Sequence, residues 1–178
     1  TRICADFPKV DPERIAIDPG LPKNKHMRWA ALLRHQTPEE AVAILRQLKL
    51  DNDTINRVKT LVQWWKRPIG ADQTQIRKTM SQMAPELYDD LLVLKTSVGE
   101  LELQAEGCVE DLDWVKTQSR EIRQRGDCVS LKELAVTGAD LIQSGMKPGK
   151  ELGETLKRLL ELVLEHPEWN TKEILKKV

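Results

Sequence analysis

Two aspartate pairs, Asp51-x-Asp53 and Asp111-x-Asp113, have a spacing at which carboxylates can share a divalent cation. Each pair falls where a helix should begin. An aspartate there caps free backbone N–H groups and complements the positive end of the helix dipole. The capping role is therefore preferred to a catalytic one. No serine or cysteine stands in a recognisable motif with a histidine and an orienting carboxylate, and no Walker-type loop occurs. His26, His35 and His166 lack the spacing of metal ligands. No catalytic residue and no metal ligand is assigned to the chain.

The remaining chemistry is the binding of phosphate. Pro148-Gly149-Lys150-Glu151-Leu152-Gly153 sits at a predicted helix start. The first turn of a helix has unpaired N–H groups, and glycine allows an anion to approach them closely. Lys147 and Lys150 flank this point, and Lys157 and Arg158 lie two turns on. The same glycines also suit a tight turn at Gly149 and a close helix contact at Gly153, and both readings stand at this level. Lys116, Arg120 and Arg123 recur at i, i+4 and i+7 on one helix face, with Glu121 reducing the local charge. Lys147, Gly149, Lys150, Lys157 and Arg158 are the first candidates for RNA contact, followed by Arg120, Arg123 and Lys132. Tyr88 is a weak candidate for stacking on a base.

The elements that must position these residues are all helices. Met27–Leu33 reads as a short apolar helix. Thr37-Pro38-x-Glu40 carries three helix-start signals, and Ala41, Ile44, Leu45 and Leu48 follow as an inward stripe. Further helices are expected from Asp51 to Trp65, after Asp72, from Pro85 through Leu94, and over 109–125, where Gly126 stops the last. Beyond it, Ser130 is expected to cap a helix over 131–136, and Thr137-Gly138 to start another over 139–144. A longer helix should run over 149–165, and Asn170 should cap a final one to Val178. No strand is predicted. The fold class is thus all-α, an array of about eight to ten helices without a substantial sheet. A shift in composition near Gly126 divides it into an extended lead-in at 1–25, a helical body at 26–125 and a helical tail at 126–178.

Composition agrees with this. Among 178 residues, 40% are hydrophobic and 31% charged, which suits a modest helical core. The 28 basic and 28 acidic residues cancel, so any nucleic-acid surface has to be local. Three scattered cysteines without a Cys-x-x-Cys fit a reducing cytoplasm. No apolar run approaches the roughly 20 residues that cross a bilayer, and no membrane partner is expected. The start at Thr1 suits a fragment of a longer protein.

The run Gly126-Asp127-Cys128-Val129-Ser130-Leu131-Lys132-Glu133-Leu134, then Thr137-Gly138-Ala139-Asp140-Leu141 and Gly145-Met146-Lys147-Pro148-Gly149, resembles the C-terminal region of bacterial tRNA nucleotidyltransferases. These are the CCA-adding enzymes of the poly(A) polymerase family. Glu165-His166-Pro167-Glu168-Trp169-Asn170-Thr171 resembles the family's closing turn. Met27–Leu33 is similar to the start of its phosphohydrolase-like region, but Arg34-His35 stand where relatives carry a metal-binding His-Asp pair. The resemblance implies a body and tail that hold the acceptor stem and elbow of tRNA. It also implies partner head and neck domains elsewhere, where Mg²⁺ and CTP or ATP would be used. No cofactor is expected in this chain, and alone it should transfer no nucleotide. The rival expectation is a structural or oligomerisation module without RNA affinity, a homodimer included, that would use Trp64 and the apolar faces.

Overall fold

The computed structural model describes residues 21–105 and 110–177. Most of the expected lead-in, together with Cys4 and Val178, lies outside the described residues. Among those residues no strand occurs, and the fold is all-α. The α-helices are α1 (Lys25–Leu33), α2 (Pro38–Gln47), α3 (Asn52–Trp65), α4 (Gln73–Ser81), α5 (Pro85–Ala105), α6 (Leu112–Arg125), α7 (Gly138–Gln143), α8 (Lys150–Glu165) and α9 (Lys172–Leu175). A 3-10 turn, Pro167–Trp169, lies between the last two.

The chain forms two compact units. The first comprises Thr1–Pro68 and Met83–Leu112, the second Ile69–Gln82 and Asp113–Val178. Composition alone puts a break at Gly126, whereas the contacts group α4 and α6 with the C-terminal elements. Gln73 on α4 bonds Gln118 and Arg125 of α6 at 2.6 and 2.7 Å, and Arg77 ties α4 to the C-terminal elements. The Arg77 Nε donates to the Leu164 carbonyl at 2.8 Å, and its Nη1 reaches Asp127 at 3.3 Å.

In the first unit, α3 is the central helix and packs against α1, α2 and α5. Its inner face, Ile55, Val58, Leu61, Val62 and Trp65, is buried. Asp51 caps α3 by accepting from the Thr54 N–H at 2.8 Å. Thr37 and Glu40 form the capping box of α2, with Glu40 N–H donating to Thr37 Oγ1 at 3.2 Å and Thr37 N–H to Glu40 Oε2 at 2.8 Å. Tyr88 is 0% exposed, so its ring offers no face to a base and the stacking expectation fails. Trp64 is half-buried, with the Arg67 guanidinium 5.5 Å from its ring centre.

In the second unit, Cys128, Leu134, Val136, Leu141, Leu159, Val163 and Leu175 form the core. Burial pushes the Cys128 thiol pKa up. The segment 131–136 is a series of turns rather than a helix. Glu133 turns its carboxylate back to the Val129 N–H at 2.9 Å. The Asn170 side chain takes the Ala135 N–H at 2.8 Å and donates to the Glu133 carbonyl at 3.0 Å. Asn170 therefore braces a distant loop, and Thr171 caps α9 in its place. The short α7 is held by a capping box between Thr137 and Asp140.

Candidate nucleic-acid interface

All eight residues expected to contact RNA lie in the second unit, and all are solvent-exposed. The unit is built around α8, which carries its apolar residues inward. Leu159, Val163 and Leu164 are buried, while Lys150, Lys157 and Arg158 face water. α7 crosses α8 where Gly138 meets Leu152 and Leu156; a Cβ at Gly138 would lie 3.5 Å from Leu152 Cδ2. A Cβ at Gly153 would meet open space. The close contact expected at Gly153 is thus made at Gly138, from the other helix.

Gly149 is the N-cap of α8 and has φ +154°; no side chain caps the helix start. The first-turn N–H groups thus lack the side-chain oxygen that Thr137 gives α7. Acidic side chains temper this end. Glu151 stands in the first turn, and Glu154 lies 3.6 Å from Lys150. Lys150 is 92% exposed, so that pair contributes little.

Beside the helix start, the end of α7, the turn after it, α8 and the end of α9 enclose an open cleft of about 580 Å³. Leu141, Met146, Leu159 and Leu175 make its apolar floor. Lys147, Arg158 and Lys176 stand on its walls with Ser144 and Thr155, against one carboxylate, Glu151. None of the three cations has an ion-pair partner among the described residues. An arrangement of this kind attracts a phosphodiester by charge and lets Arg158 grip two oxygens at once.

The structure therefore brings Lys147 and Arg158 together and adds Lys176. Lys176 was missed because the final helix was expected to start at Asn170 and run to Val178. Its signal was the step from Leu175, which is buried, to a Lys-Lys pair at the chain end. Lys150 and Lys157 do not line the cleft. Arg120 and Arg123 lie on α6 and Lys132 in the turns after Ser130, none of them in the cleft wall.

Asp51, Asp53 and Asp113 do structural work. Asp51 accepts from Thr54 Oγ1 at 2.9 Å and from Lys25 at 2.6 Å, and Asp53 from Arg57 at 2.9 Å. The Lys25 ammonium and the Thr54 donors hold the Asp51 carboxyl well below the usual carboxylate range. Asp113 lies in the first turn of α6, 3.4 Å from Lys116. Arg34, at the position of the missing His-Asp pair, is buried and donates to the Ala31 carbonyl at 2.6 Å.

The family model described as tRNA nucleotidyltransferase domain 2 matches residues 22–178. The chain belongs to that family. No curated protein and no solved structure matches it. The match runs through both units, so the cleft and the N-terminus of α8 are parts of a tRNA nucleotidyltransferase domain rather than of an appended module. No described helix is long and apolar enough to cross a membrane.

Proposed function

We propose that the chain is a tRNA-holding part of a tRNA nucleotidyltransferase. The second unit would grip the phosphate backbone at the acceptor stem and elbow. The observation that carries this reading is the convergence of Lys147, Arg158 and Lys176 on one cleft, none of them in an ion pair among the described residues. Duplex RNA is read by shape and backbone, because its major groove is too narrow for side chains. Exposed cations beside an uncapped helix start suit that task. Lys150, Gly149 and Lys157 extend the surface along α8, and Arg120, Arg123 and Lys132 are outlying contacts.

Nucleotide transfer itself, with Mg²⁺ and CTP or ATP, is assigned to head and neck domains of the parent protein, acting on tRNA 3′ ends in the cytoplasm. Here the role of this chain is placement. Fixing the end of the tRNA against an active site removes orientational freedom before the chemical step.

The test is binding of the purified chain to a tRNA that lacks its 3′ end, beside an RNA of equal length without an elbow. Affinity should favour the tRNA and fall steeply with salt. Replacing Lys147, Arg158 and Lys176 together by Ala should reduce the log–log salt slope by about 2 to 3, since each lost phosphate contact removes roughly 0.9. No tRNA binding at low salt would overturn the reading in favour of a helical assembly module, which a concentration-dependent mass in solution would reveal.

A further inference from the structure

α9 is a single turn, Lys172–Leu175, and a helix this short is not held by its own hydrogen bonds. Leu175 pins it to the core of the second unit. One buried side chain is a pivot, and it leaves rotation about that point open. A second contact closes it. The Lys172 ammonium donates to Asp140 Oδ1 on α7 at 3.0 Å. Asp140 is a firm anchor, because Thr137 donates to its other oxygen through both the backbone N–H and the hydroxyl. Lys176 follows Lys172 by four residues, and its backbone keeps right-handed helical dihedrals, φ −82° and ψ −11°. Ser144 follows Asp140 by the same interval, and its hydroxyl donates to the Asp140 carbonyl at 3.0 Å. Residues four apart share one side of a helix. The clasp at Lys172 therefore fixes the side of α9 from which Lys176 reaches the cleft wall, where Ser144 also stands.

We propose that Lys172 and Asp140 are positioning residues for RNA binding: their ion pair keeps α9 docked so that Lys176 stands beside Lys147 and Arg158, and neither residue touches the RNA. The proposal rests on the reading of the cleft as a grip on phosphate. Lys172 is poorly placed to contact phosphate itself. It does not line the cleft, its ammonium is engaged, and the carboxylate that engages it repels an anion. The three cations of the cleft also differ in how they are carried. Arg158 belongs to the sixteen-residue α8, and Lys147 to the turn that leads into it. Lys176 alone depends on a one-turn element. The third phosphate contact is thus conditional on the clasp, and opening the clasp leaves a weaker grip of two cations rather than no grip.

The experiment uses the full chain and has two arms, both run where circular dichroism shows every variant folded. In the first, binding to a tRNA without its 3′ end is followed against salt. Lys172→Met should lower the log–log slope by most of one phosphate contact, about 0.9 when complete, and Lys172→Arg should restore it. Combined with Lys176→Ala, Lys172→Met should lower the slope no further than Lys176→Ala alone. Asp140→Asn should also weaken binding, although removal of a negative charge would by itself strengthen it. In the second arm, amide hydrogen exchange is read without RNA. The Leu175 and Lys176 N–H groups, bonded to the Thr171 and Lys172 carbonyls at 3.0 and 3.3 Å, should exchange faster in Lys172→Met, while those of Leu159 and Val163 on α8 stay as in wild type. Additive slopes in the double variant would make Lys172 a phosphate contact and overturn the proposal. Tighter binding by Asp140→Asn would do the same. Normal tRNA binding with unchanged exchange at Leu175 and Lys176 would overturn this proposal alone, whereas a wild-type chain that binds no tRNA would overturn it together with the reading it rests on.

Discussion

In each unit a buried cation on one helix ties down the end of another, and the two do it differently. In the first unit the Lys95 ammonium, 2% exposed, donates to the Arg67 carbonyl at 2.6 Å just beyond α3 and lies 3.5 Å from Glu110. In the second, the Arg77 guanidinium, 5% exposed, donates to the Leu164 carbonyl in the last turn of α8 and also engages Asp127 and Thr74. Cations at helix C-termini satisfy orphan carbonyls and the negative end of the dipole. A lysine serves where a regular helical core already fixes the neighbours. The planar fork of arginine serves where several irregular segments must be joined at once. The second unit, with its short helices and braced turns, therefore depends more on a single polar side chain than the first does.

The largest effect expected from this contrast is at Arg77. Arg77→Ala should destabilise the chain by about 3 kcal/mol, the lower end for breaking a buried ionic contact. The lower end applies because Arg125 still holds Asp127 at 2.8 Å. Arg77→Lys should recover only part of that loss, since one ammonium cannot reproduce the geometry of the fork. Urea unfolding of both variants measures this. Full recovery by lysine would erase the distinction drawn between the units.

A second contrast is smaller. α2, α6 and α7 all end in the same motif, in which the chain turns left-handed and donates back to the last helical turn. In the second unit Gly126 (φ +72°) and Gly145 (φ +101°) occupy the left-handed position. The Asp127 N–H then reaches the Ile122 carbonyl and the Met146 N–H the Leu141 carbonyl, both at 3.1 Å. In the first unit the same position after α2 is Lys49, at φ +55°, and the Leu50 N–H reaches the Leu45 carbonyl at 3.1 Å. A side chain there costs about 1 to 2 kcal/mol relative to the right-handed region. Lys49→Gly should therefore stabilise the chain by up to about 1 kcal/mol, less than the full cost because glycine also loosens the unfolded state. Gly126→Ala should destabilise it by about the same amount. Urea midpoints that move in opposite directions for the two substitutions are the expected result. A stabilising Gly126→Ala would mean that the left-handed turn is not held in solution.

These two endings also show why part of the fold was legible in the sequence. Gly126 marks a helix stop because glycine adopts that conformation freely, and Thr37, Asp51 and Asp72 mark starts because their short oxygens reach a backbone N–H. Lys49 carries no such mark, because only its surroundings force it into a left-handed turn. The same holds for Asn170, which is a good capping type but bonds to a loop 35 residues away. It holds too for 131–136, where Glu133 and Asn170 supply the hydrogen bonds that a helix would have made internally. Of the candidate interface, Lys147 and Arg158 were legible from their nearness to a glycine-marked helix start. The joining of Lys176 to them was not, because it depends on how α9 folds back beside α7 and α8.

The smallest effect concerns acid, and it tests whether the second unit depends on its polar braces as argued. The Asp140 carboxylate accepts from Thr137 Oγ1 at 2.7 Å, from the Thr137 N–H at 2.9 Å and from Lys172 at 3.0 Å. Those bonds, the Thr137 hydroxyl first, hold its pKa well below the ordinary value. A carboxyl whose pKa is lower in the folded chain than in the unfolded one stabilises the fold while it stays ionised. That contribution is complete at neutral pH and is lost as pH falls below about 4, the unfolded value. Asp140→Asn should accordingly unfold at a lower temperature than wild type at pH 7, with the gap between the two closing as pH is taken from 5 toward 2.5. Thermal melts by circular dichroism across that range decide it. A gap that stays constant with pH would mean that Asp140 acts through shape and not charge, and that Lys172 contributes nothing to joining α7 and α9.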